Sequence, residues 1–171
     1  MGFLIFEGCD LTGKTTLIEN ICENYNVDVL AKYKLSNYDW KNHISIIGKI
    51  MYKTLANFQK YDFIVDRLAI SDFVYDKVYQ RNNDKSFINL RKDFRDSKIV
   101  YVTVSDFSII EKRKNERPEI NITYDKLNAL YKEYELFFTS FSDVPVLKII
   151  NDDENSINNN VKEIINFWKL K

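Results

Sequence analysis

The chain has 171 residues, 45% hydrophobic and 15% aromatic, which is enough for a single domain (1–171) with its own core. Lys plus Arg and Asp plus Glu number 25 each, a balance that argues against general nucleic-acid binding and leaves room only for a local basic cleft. No apolar run is long enough to cross a membrane or to serve as a signal peptide, and Cys9 and Cys22 do not read as a disulfide pair, so a cytoplasmic, small-molecule-binding protein is expected.

Phe3 to Phe6 is a buried-strand run, and Leu17, Ile18, Ile21 and Cys22 follow at helical spacing within a helix over 14–25. A short strand is expected over 27–31, then a polar stretch holding Lys32, Tyr33 and Lys34, three residues able to reach a ligand. Asp39 caps a long expected helix whose apolar stripe runs through Ile44, Ile47, Met51, Leu55 and Phe58 and has enough apolar residues for a homodimer face as well as core. His43, the single histidine, lies off that stripe and reads as solvent-exposed. Phe63 to Val65 is a third strand ending in Asp66-Arg67, with helix from Leu68 to Val78. A polar loop (81–86) and a short charged helix (87–95) lead to the clearest strand, Ile99 to Val104. Asp106 caps a helix that Pro118 ends, because a proline disfavours helix at the residue before it. Tyr124 to Phe138 is a long helix, Val146 to Ile150 a fifth strand, and Ile157, Val161, Ile164, Ile165 and Trp168 stripe the last helix. Strands alternating with helices imply right-handed crossovers and a parallel sheet covered on both faces.

Gly8 to Thr15 fits Gly-x-x-x-x-Gly-Lys-[Ser/Thr], a phosphate-binding loop. Two glycines let backbone N–H groups curl inward toward phosphate oxygens, Lys14 supplies a mobile charge, and the Thr15 hydroxyl is a magnesium ligand. The loop opens a helix, whose N-terminal N–H groups and dipole favour anions. Asp66 closes an apolar strand at the end where parallel sheets bind ligands, so it reads as a magnesium-holding carboxylate or as a helix cap, two roles that do not exclude each other. Arg67, Ser71 and Tyr75 are spaced four apart and would share a helix face, either as a grip on phosphate, sugar and base or as a solvated stripe. The charge run from Glu111 to Glu119 reads either as a solvated helix end or as a lid (about 111–122) whose Arg113 and Arg117, one helical turn apart, could both point into the cleft.

Taken together the chain resembles the thymidylate kinase group of P-loop nucleoside and nucleotide kinases. That group opens with Phe-Glu-Gly-x-Asp-x-x-Gly-Lys-Thr-Thr, matched by Phe6 to Thr16, and carries Asp-Arg-x-x-x-Ser-x-x-x-Tyr, matched by Asp66, Arg67, Ser71 and Tyr75. The resemblance implies a three-layer α/β fold with a five-stranded parallel sheet and a short lid. It implies that Gly8, Asp10, Thr12, Gly13, Lys14, Thr15 and Thr16 meet ATP, with Asn151 and Asp152 near the adenine, and that Mg2+ sits on Thr15 and Asp66. It further implies that Asp10, Lys32, Lys34, Arg67, Ser71 and Tyr75 meet the acceptor, and that Lys14, Arg67, Arg113 and Arg117 supply catalytic charge. Two departures stand out. The Arg-Glu-Pro that follows the second strand in thymidylate kinases is replaced by Lys32-Tyr33-Lys34-Leu35-Ser36, and Leu11 stands where some members carry an arginine. The expected reaction is γ-phosphoryl transfer from ATP to a deoxynucleoside monophosphate, thymidylate first. The alternatives are a deoxynucleoside kinase, a kinase of a modified base in DNA, and a nucleotide-binding module without turnover. The lack of an Asn-Lys-x-Asp motif argues against a signalling GTPase.

Overall fold

The computed structural model describes residues 3–25, 28–32, 63–80, 97–118, 120–141 and 144–169. In chain order these form β1 (Phe3–Glu7), α1 (Lys14–Tyr25), β2 (Asp28–Lys32), β3 (Phe63–Asp66), α2 (Ala69–Val78), β4 (Lys98–Thr103), α3 (Phe107–Glu116), α4 (Tyr124–Ser140), β5 (Val146–Ile150) and α5 (Ile157–Lys169). A 3-10 turn over Glu154–Ser156, capped by Asp153, leads into α5. The helices expected from Asp39 and over 87–95, with His43, lie outside the described residues.

The strands form one sheet in the order β2-β3-β1-β4-β5, every pairing parallel. Strand alternation sorts the side chains of β1 into two cores. Leu4 and Phe6 pack with Leu17, Ile18 and Ile21 of α1 and with Val161, Ile164 and Trp168 of α5. Ile5 faces the opposite layer, with Val74 of α2, Ile110 of α3, and Leu127, Leu130 and Tyr134 of α4. The result is a three-layer sandwich, helix on sheet on helix. By the same alternation Glu7 follows Ile5 toward α2 and α4.

β1 lies centrally, between β3 and β4. The chain leaves it on one side to reach β2 and β3, then crosses to β4 on the other. Ligands of open parallel sheets bind outside the carboxyl ends of the strands where the direction of winding reverses, here beyond Glu7 and Asp66. Local chemistry ends the helices there. The Asp106 carboxylate accepts from the Ser108 N–H at 2.8 Å and starts α3, while α3 stops at Glu116, two residues before Pro118.

Candidate active site

The loop after β1 carries its glycines where the backbone requires them. Gly8 has φ +142°, and a Cβ there would stand 2.1 Å from the Val102 carbonyl oxygen. Gly13 has φ +86°, and its Cβ would meet the Asn151 amide nitrogen at 2.2 Å. The Lys14 ammonium curls back over this loop, donating to the carbonyls of Gly8 at 2.8 Å and Cys9 at 2.5 Å. Burial pulls Lys14 down to about 8; Arg67 adds to the fall, and Asp10 and Asp66 oppose it. Thr12 is buried and donates to the Cys9 carbonyl at 3.0 Å, so its hydroxyl shapes the loop. Thr15 is exposed and Thr16 half-buried in the first turn of α1. Cys9 is buried against the Leu127 carbonyl, and burial pushes its thiol up to about 12, which keeps it protonated and inert.

The second expected cluster also assembles, by a route different from a continuous helix face. Arg67 has φ +70° and precedes α2, which begins only at Ala69. That turn swings the guanidinium back toward the loop, where one terminal nitrogen pairs with the Asp10 carboxylate. The other donates to Tyr134 at 3.2 Å and Ser71 at 3.4 Å. Tyr75 donates to the second oxygen of Asp10, and Arg67 lies 5.3 Å over the Tyr75 ring. Burial would raise Asp10, but Arg67 and Lys14 outweigh it and hold the carboxyl below its usual range. The side chains of Arg67 and Asp10 remain 16% and 29% exposed, so the pair is open to a ligand. Lys34 and the Lys32 side chain lie outside the described residues.

Asp66 does not cap α2. The cap position is Leu68, which makes no side-chain cap, and one Asp66 carboxylate oxygen is buried without a hydrogen-bond partner. A buried carboxylate oxygen with nothing to satisfy it fits a cation or its water shell. Among the described residues no group of three or more His, Cys, Asp or Glu could hold a metal alone. Magnesium on Asp66 and Thr15 would therefore take further ligands from phosphate and water, as this ion commonly does.

Arg113 is bound into the structure rather than projecting from it. Its guanidinium donates to the Leu11 carbonyl at 2.9 Å, the Asn151 carbonyl at 2.8 Å and the Asp152 carbonyl at 3.0 Å. Asn151 is itself buried, and its side-chain amide donates to the Thr12 carbonyl at 2.9 Å. The Asp152 carboxylate accepts from the Ser105 N–H at 2.8 Å. Arg113 and Asn151 tie the loop after β5 to the phosphate-loop backbone, and Asp152 ties it to the turn after β4. Arg117 is exposed at the C-cap of α3, and Lys114 donates to the Ile120 carbonyl across the turn.

Two residues in the site have no role assigned from the sequence, although Glu7 stands in the Phe-Glu-Gly motif. Glu7, wholly buried, accepts from the Leu68 N–H at 2.8 Å and from the Ser71 hydroxyl at 2.5 Å. Tyr134 of α4 shares a 2.7 Å hydrogen bond with Ser71. The sequence signal for Glu7 is its charge at an inward position of an otherwise apolar strand.

No family model and no curated protein sequence matches the chain. Solved structures do match it over nearly its whole length. The YorR protein of Bacillus subtilis, in complex with phosphorylated GDP, superposes with a TM-score of 0.74 at 20% identity, covering 96% of this chain and 94% of that one. Deoxyadenosine kinase from M. mycoides with bound dATP gives 0.64 at 18% identity, covering 99% and 100%. A gluconokinase from Sinorhizobium meliloti 1021 gives 0.63 at 15% identity, covering 98% and 91%. At these identities the likeness is one of fold, a parallel sheet flanked by helices.

Proposed function

We propose that the protein is a kinase that transfers the γ-phosphoryl group of ATP to a deoxynucleoside-type acceptor, with a deoxynucleoside monophosphate, thymidylate first, as the leading candidate. One observation carries the reading. The phosphate loop with its buried Lys14 and the Asp10–Arg67–Tyr75 cluster meet at the carboxyl ends of β1 and β3, so a donor site and an acceptor site adjoin. The coulombic influence of Arg67, Asp10 and Asp66 on Lys14 reflects that proximity. Phosphoryl transfer is catalysed chiefly by positioning and by cations around the transferring group, and these residues provide both. Mg2+ on Thr15 and Asp66 would neutralise phosphate charge. Lys14 would hold the donor's phosphates, Asp10 an acceptor hydroxyl, and Arg67 the acceptor's phosphate.

A second reading, a free deoxynucleoside as acceptor, is favoured by the same arginine. Both terminal nitrogens of Arg67 are already engaged, one of them by a carboxylate. A phosphate would have to share it with Asp10. The deoxyadenosine kinase fold neighbours are in keeping with this second reading. A coupled ATPase screen against the deoxynucleosides and their monophosphates separates the two. Turnover with thymidylate, and an acceptor KM raised at least 10-fold by Arg67→Ala, is the expected result for loss of a charge-assisted contact. Turnover with free nucleosides alone would move the assignment to the second reading, and no turnover with any acceptor would reduce the protein to a binding module.

A further inference from the structure

The proposed transfer employs Lys14, Asp66, Asp10 and Arg67 and gives Glu7 no part, although Glu7 is wholly buried beneath them. One of its oxygens holds the Leu68 N–H at the start of α2 and the other takes the Ser71 hydroxyl. Ser71 bonds Tyr134, and both hydroxyl oxygens receive the same terminal nitrogen of Arg67. We propose that Glu7 is the positioning residue for Arg67: its ionised carboxylate fixes, through Ser71 and Tyr134, the orientation in which the guanidinium faces the acceptor. The kinetic consequence rests on the phosphoryl-transfer reading above, whereas the geometry does not.

Counting protons shows why the ionised form is required. Ser71 has one hydroxyl proton, and an ionised Glu7 takes it. The Ser71 oxygen is then left with two lone pairs, one for the Tyr134 hydroxyl and one for Arg67. Tyr134 donates to Ser71 and accepts from Arg67, so every donor has an acceptor. Protonating Glu7 reverses the chain. Its own O–H must donate to Ser71, whose proton turns to Tyr134, and the Tyr134 proton is driven toward the Arg67 N–H, a donor meeting a donor. Arg67 must then shift or lose a partner. Burial pushes Glu7 up to about 7, against the Ser71 and Leu68 hydrogen bonds, so this reversal falls in the neutral range. The groups facing it are Arg67, Asp72 as a like charge, Tyr134, and Tyr101 beside it on β4, with Cys9 next to Tyr134. Burial holds both tyrosines above their usual range and Cys9 near 12, so none of these three changes charge between pH 5.5 and about 8.5.

Two measurements on the full chain test the proposal, one of them independent of turnover. In the first, the side-chain nitrogen resonances of Arg67 are followed by NMR from about pH 5.5 to 8.5 in wild type, Glu7→Gln and Ser71→Ala. The wild-type signals should titrate near 7. Both variants should lose that step near 7, the first because the ionisable group is gone and the second because its link to Arg67 is cut, while the step near 8 from the neighbouring Lys14 stays in all three. Arg67 signals that titrate alike in all three proteins, or in none, overturn the proposal. In the second, kcat/KM for the acceptor is measured across the same range. Glu7→Gln, whose amide oxygen stays on the Leu68 N–H so that its NH2 donates to Ser71, should be locked at the acid-limb value, about 10-fold below wild type at pH 8, as for one hydrogen bond to a charged group. The KM for ATP should stay within twofold, and Glu7→Asp should restore the pH dependence. A uniform loss at all pH values, or an equal rise in the KM for ATP, would mark Glu7 as merely structural. If no acceptor turns over, the kinase reading fails while the NMR titration still decides the positioning role.

Discussion

Lys14 is held by the carbonyls of Gly8 and Cys9, at the cost of desolvating an ammonium ion. Its charge serves a ligand better than it serves the core, because phosphate oxygens offer a full counter-charge where the loop offers only dipoles. Lys14→Ala should therefore keep the fold, checked by circular dichroism and thermal melting, while turnover falls about 10³-fold or more. The lowered pKa gives a second test. Near pH 8 apo Lys14 is about half protonated, and a bound polyphosphate would restore the proton, so nucleotide binding should take up protons. Calorimetry at pH 8 in two buffers of different ionisation enthalpy reads this directly, and Lys14→Ala should abolish the uptake. Asp66 poses a parallel question for the metal. Its unpartnered oxygen is best explained by an ion or its water, so Asp66→Asn should raise the Mg2+ concentration for half-maximal rate several-fold. A magnesium titration identical to wild type would remove Asp66 from the metal site.

The elements themselves were largely legible because their signals are local. The strand–glycine loop–helix run, the apolar stripe of α5, the Asp106 cap and the stop at Pro118 depend on neighbours within a few residues, and each lies within a residue or two of its expected place. What the sequence could not disclose are the bonds that join distant elements. Glu7 and Ser71 are 64 residues apart, and Asn151 and Thr12 are 139 apart. Arg113 illustrates the consequence. Its place in the last turn of α3 suggests a lid cation, yet its three carbonyl partners make it a strut between the phosphate loop and the turn after β5. Two expectations follow that differ in kind. A strut should act through ATP binding, whereas a transition-state cation should act through kcat with ATP affinity unchanged. We expect Arg113→Ala to raise the KM for ATP several-fold and Arg117→Ala, exposed beyond the helix end, to leave it unchanged; kcat and KM measured separately decide between them.

At the scale of the whole molecule, Glu7 brings a wholly buried carboxyl into the layer between the sheet and α2 with α4, and that carboxyl ties global stability to pH. Its folded pKa of about 7 stands above the ordinary 4.5, so the native state binds the proton more tightly than the unfolded chain does. Stability from this group is therefore full below pH 4.5 and is lost as pH rises through about 7. Lys14 acts in the opposite sense. Its folded pKa is depressed to about 8, so its contribution is lost as pH falls through that value. The two windows, 4.5 to about 7 and about 8 to 10.5, adjoin with opposite slopes, so the wild-type curve passes through a minimum between them and mixes the two groups. The difference between wild type and Glu7→Gln isolates the carboxyl. Between about pH 5.5 and 8 the wild type should lose about 2 kcal/mol relative to the variant, from 1.36 kcal/mol per pKa unit over the part of the shift that this window spans. Urea denaturation of both proteins at the two pH values measures it. A constant gap would mean that Glu7 is ionised throughout in the native state, already compensated by Arg67 and Ser71, and that the pH response of the fold has to be sought at Lys14.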